Sequence, residues 1–142
     1  EYLITELSNE IDALNIDNEN GALEKIETYN TLPNNFEGAS YCADIHVHPN
    51  GKFLYGSNRG DNSIVIFEIN EESGKLNLVG HESTKGDWPR NFVIDPSGEF
   101  LLAANQKSNN ISVFKISKET GGLNFKDSLN LPSPVCIKFL HE

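Results

Sequence analysis

The sequence predicts an all-β fold assembled from four-stranded antiparallel β-propeller blades. Residues Ile45–Val79 repeat as Phe92–Lys126 without a gap at a spacing of 47, and thirteen of the 35 aligned positions are identical. Both copies consist of short apolar runs separated by turn residues, which is typical of strands joined by tight turns. A period of this length indicates propeller blades or a similar all-β array. The identical pairs include Pro49/Pro96, Gly51/Gly98, Phe53/Phe100, Asn58/Asn105, Phe67/Phe114 and Gly74/Gly121.

The first unit, residues 1–32, is predicted to be an incomplete blade. Apolar runs at Tyr2–Glu6, Ile11–Asp17 and Ala22–Tyr29 match the second, third and fourth strands of a blade. Asn18–Gly21 supplies the last turn. No run in this unit matches a first strand, so we expect three strands here.

The second unit, residues 43–84, is predicted to be a complete blade. Two four-residue turns, His48–Gly51 and Glu71–Gly74, each end in glycine, which adopts a positive φ most easily. Because the strands follow one another through tight turns, we expect an up-and-down meander. The four predicted strands are 43–48, 53–57, 63–69 and 76–82.

The third unit, residues 90–131, repeats both turns as Asp95–Gly98 and Lys118–Gly121 and is predicted to be a second complete blade. The last apolar run, 135–140 (VCIKFL), matches a first strand alone. We therefore expect a closing strand there.

Three blades are fewer than the four to eight that known propellers use to close a ring. The chain begins at Glu1 and contains no Met, so we expect the remaining blades to come from a longer full-length chain. The stretch 30–39 (NTLPNNFEGA) is a longer polar loop. Loops of this kind often carry function, so we expect it to cover or line the central site.

Composition narrows the class of partner. A net charge of −10 disfavours nucleic acid, because a phosphate-binding surface needs positive charge. No apolar run reaches the 18 residues that a membrane span needs. Cys42 and Cys136 lack the spacing of a zinc site, so we interpret them as buried free thiols of a cytoplasmic protein and expect no metal.

The inner strands of a propeller, and the loops at their ends, line its central channel. On the first strand of the second unit, Asp44 and His46 alternate with Ile45 and Val47. Because strand side chains alternate between two faces, Asp44 and His46 should share a face opposite the apolar pair. The alternative interpretation is that they are polar residues at a strand edge.

Four further residues fall at the ends of predicted strands. Glu6 and Arg59 leave the second strand of their units, Gln106 takes the position of Arg59 in the third unit, and Arg90 precedes a first strand. Each could equally be a solvated surface group. Together with His46 they offer a carboxylate, an imidazole and two guanidiniums, which suit an anionic substrate and proton transfer.

Two runs, ADIHVHPNGKFLYGSNRGDNSIVIFEI and WPRNFVIDPSGEFLLAANQKSNNISVFKI, resemble the lactonase family of seven-bladed β-propellers. The resemblance covers nearly the whole chain and implies about three blades from the C-terminal part of a seven-bladed ring. Family members often have His after the PR pair, where this chain has Asn91, which weakens a catalytic role at that position.

The resemblance implies hydrolysis of a small anionic sugar lactone, 6-phospho-D-glucono-1,5-lactone, in the pentose phosphate pathway without a cofactor. It implies catalytic roles for Glu6 and His46. The substrate-binding residues would be Arg59, Arg90, Asp44 and Gln106.

Two other functions stay open at this point. One is lactonisation of a carboxymuconate, another anion that arginines could hold. The other is a non-catalytic propeller that binds a partner protein, although the WD dipeptide of WD-repeat propellers is absent from the sequence.

Overall fold

A computed structural model describes residues 1–140, which form eleven β-strands in three antiparallel sheets. The prediction of an all-β fold built from propeller blades is confirmed. Within these residues, no helix has the length and hydropathy to cross a bilayer. The strands are β1 (Tyr2–Thr5), β2 (Glu10–Ile16), β3 (Leu23–Asn30), β4 (Tyr41–Val47), β5 (Phe53–Arg59), β6 (Ser63–Ile69), β7 (Leu76–Ser83), β8 (Pro89–Ile94), β9 (Phe100–Asn105), β10 (Asn110–Ile116) and β11 (Leu123–Asn130).

Each sheet is a simple meander, in the order β1-β2-β3, β4-β5-β6-β7 and β8-β9-β10-β11. The first strands of the two complete blades, β4 and β8, lie beside each other, and β1 lies beside β4 as β5 lies beside β8. β1 therefore occupies the place of a second strand. This arrangement brings the C-terminal ends of strands β1 and β5 close to the N-terminal ends of strands β4 and β8.

Burial follows the place of each strand in its blade. All seven residues of β5 are buried, because this strand has a blade on each face. The outer strands are mostly exposed: β11 has one buried residue, Leu123, and β3 has none. Apolar residues are thus expected mainly in the middle strands of each blade, whereas polar residues are tolerated in the outer strands.

The core lies between neighbouring blades. Tyr55, Phe92 and Phe114 are fully buried between the second and third sheets, while Ile11 and Leu54 are fully buried between the first and second. Burying a side chain of this size contributes about 1.5–3 kcal/mol. The blades are therefore held together by the same apolar positions that the repeat preserves.

The predicted closing strand at 135–140 is wrong. Residues 131–140 belong to no strand, although Ile137 donates its backbone N–H to the Asn91 Oδ1 atom of β8 at 2.8 Å. A first strand gains its ladder from the second strand of its own blade, and no residue of the described part of the chain supplies one. The segment docks beside β8 without becoming a strand.

The interpretation of both cysteines as buried thiols holds for Cys42 only, since Cys136 is exposed. Cys136 follows Pro134 in the segment that has no ladder partner, where no second sheet covers it. Both thiols are free.

Candidate functional site

Arg59 ends β5 and is only 9% exposed. Its Nη2 group donates to Glu6 Oε1 at 2.6 Å and to the carbonyl of Cys42 at 2.8 Å, and its Nε–H donates to the carbonyl of Tyr41 at 3.3 Å. These contacts fix the guanidinium between β1 and β4. The Nη1 group makes no hydrogen bond to residues 1–140, so its two N–H donors are available to a ligand.

An aromatic side chain covers the same guanidinium. The Cζ atom of Arg59 lies 5.4 Å from the ring centre of Trp88, and Nζ of Lys107 lies 3.3 Å from that centre. The ring of Tyr41 is tilted against the indole, with the centres 6.1 Å apart. Cations near an indole face are attracted by its quadrupole. Trp88 therefore helps to hold Arg59 in place.

An open pocket of about 240 Å³ lies beside this pair. It contains two guanidiniums and one carboxylate, and the carboxylate side chain of Glu6 is 62% exposed. Arg90 reaches it because the register of β8 shifts between Pro89 and Asn91, and such a bulge turns a side chain out of the regular alternation. The lining residues are Ile4, Glu6, Cys42, Ala43, Arg59 and Arg90.

The structure brings Asp44 and His46 together, but in a second place. The Nε2 atom of His46 lies 3.1 Å from Asp44 Oδ2, as expected for neighbours on one face. The imidazole stands edge-on to Phe92, with the ring centres 4.8 Å apart. His46 lines another pocket, of about 260 Å³, with Asp95 and Lys138. Glu6 and both arginines do not line that pocket.

Asp44 makes contacts within the protein. Its Oδ2 atom accepts from Asn91 Nδ2 at 2.6 Å and from the backbone N–H of Phe92 at 3.2 Å, and its Oδ1 atom accepts from the N–H of Ile45 at 2.9 Å. Burial alone would raise the pKa of Asp44. Hydrogen bonds and charge from His46, with the two backbone N–H groups, outweigh burial and lower that pKa.

The remaining predicted features lie outside both pockets. Gln106 donates its backbone N–H to the carbonyl of Trp88 at 3.0 Å and lines neither pocket. The loop 30–39 also lines neither, although its neighbour Ser40 donates from Oγ to the carbonyl of Arg59 at 3.0 Å. The loop packs so closely on Gly60 that a Cβ there would collide with the carbonyl oxygen of Ala39.

Cys42 contributes its backbone to the site. Burial raises the pKa of its thiol, against the opposing effects of a hydrogen bond with Thr31 and the charge of Arg59. A thiol protonated at neutral pH is a poor nucleophile. Among residues 1–140, no group of three or more His, Cys, Asp or Glu side chains is placed to hold a metal ion.

Four contributors were not predicted from the sequence: the indole of Trp88, the ammonium of Lys107 and the backbone carbonyls of Tyr41 and Cys42. One available signal was Trp88, the single tryptophan of the chain, directly before the Pro89-Arg90 pair. The carbonyls leave no signal in the sequence, because every residue has one.

Comparison with known sequences gives two kinds of match. The family described as "Lactonase, 7-bladed beta-propeller" matches residues 1–139. A 6-phosphogluconolactonase of Bacillus subtilis (strain 168) is 44% identical over 142 residues, which cover 99% of this chain and 41% of the relative. A 6-phosphogluconolactonase of Formosa agariphila is 52% identical over 96 residues, which cover 66% of this chain and 26% of the relative.

Solved structures agree with this fold. A protein from Lactobacillus plantarum superposes with a TM-score of 0.95 at 33% identity, covering 99% of this chain and 41% of the other. The periplasmic gluconolactonase of Pseudomonas aeruginosa superposes with a TM-score of 0.90 at 29% identity, covering 99% and 42%. The chain thus spans about two fifths of the length of these relatives.

Proposed function

The chain belongs to the lactonase family of seven-bladed β-propellers, and from this membership we propose that the protein carrying it hydrolyses 6-phospho-D-glucono-1,5-lactone in the pentose phosphate pathway. The observation that carries the proposal is the pocket in which Glu6 and Arg59 form a 2.6 Å ion pair beside Arg90. Relatives that bear the name 6-phosphogluconolactonase supply the substrate class.

The chemistry requires a base and a positive group near the lactone carbonyl. Glu6 takes a proton from water as the water oxygen bonds to the carbonyl carbon. Arg59, through its free Nη1 donors, stabilises the oxyanion of the tetrahedral intermediate. The bond between that carbon and the ring oxygen then breaks, and the proton held by Glu6 passes to the ring oxygen, which becomes a hydroxyl group and leaves Glu6 ionised again.

The other candidate residues receive supporting roles in this proposal. Arg90, exposed at the edge of the same pocket, binds the phosphate. His46 is the second proton-transfer group, and it lies three residues beyond the pocket-lining Ala43, about 10 Å along β4. Asp44 acts by orienting His46. Gln106 helps to hold Trp88 by donating its backbone N–H to the carbonyl of that residue.

A phosphorylated substrate implies a cytoplasmic protein, because sugar phosphates are made and used inside cells. The structural similarity to a periplasmic gluconolactonase favours a second candidate function, hydrolysis of the unphosphorylated lactone. Both candidate reactions need Glu6 as the base and Arg59 as the donor to the oxyanion. They differ only in whether Arg90 binds a phosphate group.

The first prediction concerns hydrolysis by the complete protein, measured above the spontaneous rate with both lactones. Glu6→Gln is expected to lower kcat about 100-fold, the usual contribution of a general base. Arg59→Ala should lower kcat/KM on both lactones. Arg90→Ala should raise KM about 10-fold for the phosphorylated lactone only, because it removes a charged hydrogen bond to phosphate.

The matched control is Glu99→Gln, which removes a carboxylate from the exposed Lys118–Glu99 pair, 3.1 Å long and outside the pocket. Its rates should equal those of the unaltered protein. Unchanged rates in both Glu6→Gln and Arg59→Ala would refute the assignment. Turnover of a carboxymuconate without lactone hydrolysis would refute the proposed reaction.

A further inference from the structure

The Asn91 side chain is hydrogen-bonded at both ends of its amide. Its Nδ2 group donates to Asp44 Oδ2 at 2.6 Å, and its Oδ1 atom accepts from the backbone N–H of Ile137 at 2.8 Å. A carboxylate only accepts and a backbone N–H only donates, so this amide has a single possible orientation. Asn91 thus faces Asp44 with its donor group, which also lies 3.5 Å from the carbonyl of Phe92.

The contact with Asp44 in turn decides which ring nitrogen of His46 carries a proton. The same Oδ2 atom that accepts from Asn91 lies 3.1 Å from His46 Nε2. An ionised carboxylate accepts only, so Nε2 must carry a proton. The imidazole is also held edge-on by Phe92 at 4.8 Å. In the neutral imidazole, Nδ1, which makes no hydrogen bond within residues 1–140, is then the nitrogen with the lone pair.

We propose that Asn91 is a positioning residue: through Asp44 it holds His46 in the Nε2–H tautomer and leaves Nδ1 free to accept a proton. The arrangement is a chain of side chains across two blades, from the Ile137 backbone to Asn91, Asp44 and His46. A carboxylate that orients an imidazole is the usual means of fixing its tautomer.

Strand irregularity makes this contact possible. The register of β4 shifts between Cys42 and Ile45, which places Asp44 in a bulge. Its backbone N–H donates to Ser57 Oγ at 3.0 Å instead of joining the ladder. A bulge of this kind turns a side chain toward a new neighbour, here β8 of the next blade. The interblade contact is therefore built into the inner strand.

The second prediction is tested on the complete protein with ¹⁵N-labelled histidine. Ring-nitrogen chemical shifts distinguish the two tautomers, and His46→Gln identifies the signals of His46. We expect a single Nε2–H tautomer in the unaltered protein. Asn91→Asp keeps the acceptor for Ile137 but faces Asp44 with a second carboxylate, so His46 should show a mixture of tautomers.

The matched control is Asn77→Asp, the same change of charge on the exposed outer strand β7. It should leave the His46 tautomer unchanged. An Asn91→Asp variant that folds, with the same thermal midpoint, and keeps a single Nε2–H tautomer would overturn the proposal. Asn91→Ala removes the donor that holds the Asp44 carboxylate against His46, without adding charge, and should also yield a mixture; an unchanged tautomer in that variant overturns the proposal equally.

The catalytic consequence rests on the proposed function. If His46 transfers a proton in lactone hydrolysis, Asn91→Asp should lower kcat about 10-fold and leave KM unchanged. An unchanged kcat with a shifted tautomer would overturn the positioning role in catalysis. Failure of the proposed function has a different signature, because the unaltered protein would then not hydrolyse the lactone while the tautomer experiment remains readable.

Discussion

Trp88 is the residue at which backbone strain and the candidate site coincide. Its φ is +67°, a left-handed conformation that costs a bulky residue about 1–3 kcal/mol. Two backbone contacts impose this conformation: Trp88 N–H donates to Asn62 Oδ1 at 3.0 Å, and its carbonyl accepts from Gln106 at 3.0 Å. The indole consequently faces Arg59. The strained conformation thus accompanies a cation–π contact with the Arg59 guanidinium.

The third prediction separates these two effects. Trp88→Gly and Trp88→Ala both remove the indole, but only glycine relieves the left-handed strain. Both variants should lower lactone kcat/KM several-fold. The glycine variant should be more stable than the alanine variant by about 1 kcal/mol, measured by denaturant unfolding. Trp88→Phe, which keeps an aromatic face, should recover part of the activity; equal stability of the Gly and Ala variants would contradict the argument.

The contacts of the site residues could be predicted only in part at this scale. The period-two alternation correctly placed Asp44 beside His46. It could not show that Arg90 joins Glu6 and Arg59 in a different pocket from His46, since that division depends on bulges in β4 and β8. A bulge adds one residue to a ladder and leaves no reliable signal in a single sequence.

At the scale of the strand and turn, the blades are joined by repeated contacts to turn glycines. Tyr2 OH donates to the carbonyl of Gly74, and Tyr55 OH donates to the carbonyl of Gly121, each at 2.8 Å. Gly121 has φ +73°, and a Cβ there would lie 2.6 Å from the ring of Phe53. The turn between β10 and β11 is thus pressed against the blade before it.

The fourth prediction compares two turn glycines with nearly the same φ. Gly21, at +74°, has no atom within 4 Å of an added Cβ, whereas Gly121 meets Phe53. Gly21→Ala should cost about 1 kcal/mol of stability for the positive φ alone. Gly121→Ala should cost at least 1 kcal/mol more, because an aromatic ring in a packed core cannot move away freely. Equal shifts in thermal midpoint would contradict this interpretation.

Strand positions were predictable to within about two residues because the middle strands are short apolar runs between turn residues. The second-unit prediction of 63–69 matches β6, and 53–57 falls two residues short of the end of β5 at Arg59. The error at 135–140 has a different cause. Its sequence has the character of a strand, but a strand also requires a partner, which sequence pattern does not report.

At the scale of the whole molecule, each blade contains an aspartate whose pKa is lowered. A hydrogen bond from Thr28 and the neighbouring Lys25 lower the pKa of Asp12. For Asp95, burial acts to raise the pKa, but hydrogen bonds from the Ser97 hydroxyl and three backbone N–H groups outweigh it. Together with Asp44, these carboxylates stabilise the fold only while ionised.

The fifth prediction follows from the sign of this linkage. Because the folded-state pKa values lie below the ordinary value of 3.8, the stabilisation is complete above that pH and is lost as pH falls below it through the folded values. Asp95→Asn should therefore lower the thermal midpoint at pH 7, with the difference narrowing toward pH 2. Asp127→Asn, on the exposed strand β11, changes the net charge equally and serves as the control. Midpoints of Asp95→Asn that stay parallel to those of the unaltered protein at all pH values would show that the Asp95 turn contributes nothing through ionisation, and the acid sensitivity would then arise from the other two blades.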